Sequence, residues 1–183
     1  MFAVFAQFLN IFILTYGQPI FGPRMENDYQ FPVAAIGATY AIPCVTYALT
    51  GPIFLQKVAK NFEFRTTIMI GFIIIFTGGI LIGPSSILHF PEKSAAMMIV
   101  GISILGIGEA FTIVPIIPEM IDSIEHNENA HDKVSALFSI AGGFGQIVAP
   151  LLSGWLTDKA GFNLSLDVCA IIVISFFIAY FVN

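Results

Sequence analysis

Glu109 is the residue in this sequence best placed to do chemistry, because it stands in the middle of a long apolar run, within Gly106-Ile107-Gly108-Glu109-Ala110-Phe111. A charged side chain at the centre of a membrane-spanning helix costs about 2.5 to 3.5 kcal/mol on the insertion scale, so it needs a partner, a water-filled cavity or a proton. Two readings follow. In the first, the carboxylate faces an aqueous path and binds a cation or couples to protons, with the neighbouring glycines allowing close backbone approach. In the second, a protonated Glu109 donates one hydrogen bond to a nearby carbonyl and serves as packing glue. A second polar signal comes from Gln7, Asn10 and Gln18, flanked by Thr15 and Tyr16. At about 100° per residue these three amides fall within roughly 80° of one another on one helix face. Such a stripe either lines a wet path or bonds across to another helix.

The elements that must position these groups are long apolar helices. Of the 183 residues 57% are hydrophobic and 10% charged, against roughly 25% charged in soluble domains, which is too few polar side chains to cover a water-soluble surface. A hydrocarbon core about 30 Å thick needs roughly 20 helical residues. Stretches of that length recur, from Phe2 to Phe21, Pro32 to Gln56, Thr66 to Leu88, Ala95 to Ile121, Val134 to Thr157 and Leu164 to Val182. The expected fold is all-α, a polytopic six-helix membrane domain occupying residues 1–183, with short connections that make consecutive helices antiparallel neighbours. Lys57, Lys60, Arg65 and Lys133 in the second and fourth breaks outnumber Arg24, Lys93 and Lys159 in the others. That bias places both termini on the cytoplasmic side. Which membrane is spanned is not encoded in any segment. The start lacks a basic region before its apolar run and a cleavage site after it, so the first helix is expected to stay, and the chain reads as truncated at its front.

Other residues exclude more than they suggest. The net charge of −5 comes mostly from the acidic segment Asp122 to Lys133, and no basic patch points to nucleic acid. That segment holds His126 and His131 but lacks the zinc-protease spacing and a scaffold to fix ligands, so no metal and no cofactor are expected. No serine elbow, phosphate-cradling glycine motif or Cys/His pair at catalytic spacing marks an enzyme. Cys44 and Cys169 sit in apolar runs and read as packed thiols. Glu119 and Asp167 fall near span ends, where a carboxylate reaches the headgroups at small cost. In the fifth span, small residues at Gly142, Gly145, Ala149, Ser153 and Gly154, with a bend at Pro150, describe a face that packs closely on another helix.

Three stretches resemble the C-terminal half of a major facilitator superfamily transporter, helices seven to twelve of that fold, and the likeness extends over essentially the whole chain. Gly145-x-x-x-Ala149-Pro150-x-x-x-Gly154 is similar to the family's antiporter motif, with Ala149 and Ser153 in place of glycines. Gly51-Pro52-Ile53 leading to Lys57, Lys60 and Arg65 resembles the basic cytoplasmic loop between helices eight and nine, though Ala59 stands where an aspartate is usual and Phe62 where a glycine is. The run Trp155 to Phe162 is similar to the connection into helix twelve. The resemblance implies that Gln7, Asn10, Gln18 and Glu109 face the central cavity, and that the Gly145 to Gly154 face lets helices slide while sealed. It implies a branch of proton antiporters that includes drug and vesicular amine exporters.

The function expected is therefore secondary transport across the bilayer, proton-coupled, of a small organic and cationic solute. The fold alternates access by rocking two six-helix halves, so this half needs a missing N-terminal half or a second copy as partner. The alternative is a transport-inactive structural subunit of a larger membrane complex.

Overall fold

A computed structural model describes residues 2–57, 62–83, 94–123 and 130–182. Among them every regular element is an α-helix, in the order α1 (Phe2–Tyr16), α2 (Gln18–Tyr29), α3 (Val33–Lys57), α4 (Phe64–Ile82), α5 (Ala95–Asp122), α6 (Ala130–Ala160) and α7 (Phe162–Val182). Six helical stretches are long and apolar enough to cross a membrane, α1 and α2 together making the first, Phe2–Tyr29. The chain is an integral, multi-pass membrane protein. The first span is interrupted because Pro19, in the first turn of α2, has no N–H with which to continue the helix. At Gly17 an added Cβ would run into the ring of Phe21. The turn between α6 and α7 rests on Gly161, whose φ of +86° suits only a residue without a Cβ, and its N–H closes α6 on the Thr157 carbonyl at 3.0 Å.

Consecutive spans are not always packing neighbours. Among the described residues α5 lies between α3 and α4, α1 packs on α6, and α4 on α7, whereas α3 makes no substantial contact with α4, the next helix in sequence. Loop length limits how far apart two helix ends can be, but complementary surfaces decide which helices touch.

The tightest of those surfaces is a glycine seam. Gly71 and Gly78 on α4 face Gly101 and Gly108 on α5; a Cβ at Gly101 would stand 2.8 Å from the Gly78 carbonyl oxygen, and one at Gly78 would stand 2.9 Å from that of Gly101. On the other side of α5, a Cβ at Gly106 would collide with the Thr46 hydroxyl and the Pro43 carbonyl of α3. Helix α5 is thus gripped on two faces through residues that have no side chain.

The small-residue face of α6 divides. A Cβ at Gly145 would meet the Phe8 carbonyl oxygen of α1 at 2.8 Å, and Ala149 and Ser153 are fully buried, while Gly143 and Gly154 have nothing within 4 Å. Pro150 lies inside the helix. Gly145 thus meets the backbone of α1 and Ala149 is buried, whereas Gly154 borders open space. On its outer side α6 shows Leu137, Ile140, Phe144, Ile147, Leu151 and Trp155, all exposed.

Candidate functional site

A cavity of about 520 Å³ opens between the first span, α3 and α5. Its lining begins at the bend of the first span, with Ile13, Leu14, Gln18, Phe21 and Met25, and is completed by Thr39, Tyr40, Pro43 and Cys44 from α3 and by Ile102, Leu105 and Glu109 from α5. Those α5 residues recur every three or four positions, so one helix face supplies them. The Tyr40 hydroxyl donates to the Gln18 carbonyl at 2.7 Å and ties α3 to α2 at the rim.

Glu109 is the one charged side chain in this lining. It is 6% exposed, and among the described residues no hydrogen bond or ion pair reaches its carboxyl group. A buried carboxyl beside otherwise neutral walls has two ways to be satisfied, a proton or a cation entering from the cavity.

The amide stripe divides along the helix axis. Gln18 is exposed and lines the cavity with Glu109. Asn10 and Gln7 do not reach it. Asn10 is fully buried and its Oδ1 accepts from the Thr112 hydroxyl of α5 at 2.7 Å, so it bonds across to another helix. Gln7, 1% exposed, has its amide against Gly142 of α6. A shared face does not imply a shared depth, and these two residues sit beyond the end of the cavity.

Several further expectations are revised. Cys169 is buried as expected, but Cys44 is exposed, on the cavity wall. Asp167 is buried near the start of α7 rather than reaching outward. The Tyr16 hydroxyl binds the Ser165 hydroxyl at 2.8 Å and the Ser165 carbonyl at 2.9 Å, locking α1 to α7. Of the basic loop, Lys57 ends α3, Lys60 lies outside the described residues, and Arg65 stands in a cleft with Glu63, Glu119 and Asp122. The segment containing His126 also lies outside them. Arg24 is paired with Asp28 at 2.5 Å and stacks over the Phe162 ring at 4.8 Å, so a charge counted for sidedness is engaged within the bundle. Among the described residues no cluster of metal-ligating side chains occurs.

Six spanning helices, three of which wall a solute-sized cavity with one buried carboxyl, make an integral membrane bundle. The sequence model of the Major Facilitator Superfamily matches residues 3–183, and the chain belongs to that family. It is similar to the MFS-type transporter SLC18B1 of Homo sapiens, 28% identical over 144 residues that cover 75% of this chain and 31% of the relative. The Mus musculus protein of the same name is 27% identical over 145 residues, again 75% and 31%. The chain therefore spans under a third of the length of the curated relatives it matches. Membership points to a transporter rather than an enzyme.

Proposed function

We propose that this chain is the substrate-binding six-helix half of a proton-coupled secondary transporter for a small organic cation. The observation that carries the reading is the lone carboxyl of Glu109 in a cavity whose other walls are neutral. Such a site attracts a cation or a proton and repels an anion, and the exchange of one for the other at a single carboxylate is the simplest form of antiport. The volume falls within the usual range of about 300 to 1,000 Å³ for small-molecule sites. The rings of Phe21 and Tyr40 line it as well, and an aromatic face adds about 0.5 to 2 kcal/mol for a cation that stacks on it.

A carrier of this fold needs a second six-helix unit to alternate access. The proposal includes one, either further sequence of the same protein or a second copy. Supporting it is the short share of the relatives' length that is matched.

The test is Glu109→Gln in vesicles reconstituted with the whole transporter. Loss of proton-driven uptake, in a variant that purifies and melts normally, is the expected result. Unchanged coupling would overturn the assignment. A wild-type protein that is folded and stably complexed but moves no cation down any gradient would favour the structural-subunit reading.

A further inference from the structure

Below the cavity the first span keeps its polar face. Gln7 and Asn10 lie on the side of α1 that carries Leu14 and Gln18, at successive turns nearer the N-terminus. On α5 the residue one turn beyond Glu109 is Thr112, and it meets Asn10 at 2.7 Å. The hydrogen bond between them therefore crosses directly beyond the end of the cavity. Thr112 donates to Asn10 Oδ1, and Asn10 Nδ2 is left without a partner. Asn10 Nδ2 and Gln7 Oε1 are both fully buried, and among the described residues neither has a hydrogen-bond partner.

A buried amide atom without a partner costs about 1 to 3 kcal/mol. Here there are two, three residues apart on one helix face and opposite in sense, one a donor and one an acceptor. Packing alone gives no reason for an amide at Gln7, and the bond to Thr112 uses only one end of the Asn10 amide. Leucine or methionine would fill the same volume without the penalty. Gln7 lies against α6, where a Cβ at Gly142 would stand 3.5 Å from its amide nitrogen.

We propose that Gln7 Oε1 and Asn10 Nδ2 form a second hydrogen-bonding site at the closed end of the cavity, for a neutral group that donates one hydrogen bond and accepts one. Water and a solute hydroxyl both have that chemistry. The Asn10–Thr112 bond is the partition between this inner site and Glu109, and parting it joins the two into one path. The inference rests on the transport reading of the cavity, but the test below needs no transport.

Gln7→Cys and, separately, Asn10→Cys are made with both native cysteines kept. The protein is reconstituted and treated with a membrane-impermeant quaternary-ammonium methanethiosulfonate, and modification is read residue by residue by peptide mass spectrometry. Cys44 on the cavity wall and buried Cys169 are the internal controls. The expected result is that at least one introduced thiol reacts within about tenfold of the Cys44 rate, while Cys169 stays unmodified. If both introduced thiols are as inert as Cys169 while Cys44 reacts, the inner site is overturned. If Cys44 is also inert, the cavity is not water-filled and the inner site falls with it. Loss of uptake in Glu109→Gln is read separately and bears only on the transport reading. Protection of the introduced thiol by choline but not by tetramethylammonium assigns the site to a solute hydroxyl, and protection by neither assigns it to water.

Discussion

The two sides of α5 are built on opposite rules. Toward α4 the helix presents Gly101 and Gly108 to a partner with matching glycines, so that backbone meets backbone. Toward the first span and α3 it presents Ile102, Leu105 and Glu109 to a cavity, beside the close contact of Gly106 with α3. In a lipid solvent there is little hydrophobic gain in pressing two apolar helices together, so close packing has to supply the adhesion. The seam does so, and leaves a neighbouring face of the same helix, about a quarter-turn round, to border open space beside a buried carboxyl. What the difference teaches is that rigidity and vacancy need not occupy separate helices.

The largest expected effect comes from filling the seam. Gly101→Leu must displace the Gly78 carbonyl, which is backbone and cannot rotate away, and over-packing of this kind costs about 1 to 3 kcal/mol or more. Loss of a monodisperse, folded protein on size-exclusion chromatography checks it. Adding bulk on the cavity side is expected to leave the fold standing. Leu14→Trp should shift stability by under about 1.5 kcal/mol, read as the melting midpoint, while slowing thiol labelling of Cys44. Equal losses from the two substitutions would erase the distinction between the sides.

Between these extremes lies the partition. Thr112→Val removes the donor to Asn10 Oδ1 and strands a buried acceptor, for a loss of about 1 to 3 kcal/mol in thermal unfolding. A loss near zero would mean that the amide finds another partner and that the end of the cavity is soft. The smallest effect is expected where α6 is unopposed. Gly154→Ala puts a methyl where nothing lies within 4 Å and should raise stability by up to about 1 kcal/mol. A fall there would show that Gly154 belongs to the packed face with Gly145.

The sequence makes Glu109 conspicuous because the cost of a mid-span carboxylate is local and needs no knowledge of neighbours. The helices are legible for the same reason, since length and hydropathy are properties of each segment alone. Depth and partner are not. Periodicity puts Gln7, Asn10 and Gln18 on one face, but only the packed helices determine that the cavity runs along the first span from Met25 past Gln18 to Ile13 and stops short of Asn10. The seam was overlooked although its signal is present. Gly71 and Gly78 repeat at the same seven-residue spacing as Gly101 and Gly108, in two consecutive spans, and matched small residues in adjacent helices are what a close crossing requires. Cys44 read as a packed thiol because an apolar run does not show which of its sides is wet.

The break in the first span has a consequence for how the molecule opens locally. Below it, α1 is fastened to α5 by Asn10, to α6 through Gly145 and to α7 by Tyr16. Above it, α2 is joined to α3 by the Tyr40 hydroxyl on a backbone carbonyl and to α7 by Arg24 and Phe21 against the Phe162 ring. The two parts of one membrane span are therefore fastened differently, by buried hydrogen bonds below the break and by an exposed one with ring contacts above it. In deuterium-exchange measurements the amides of Ala6 to Tyr16 should outlast those of Ile20 to Tyr29 by orders of magnitude in time, with the step falling within three residues of Pro19.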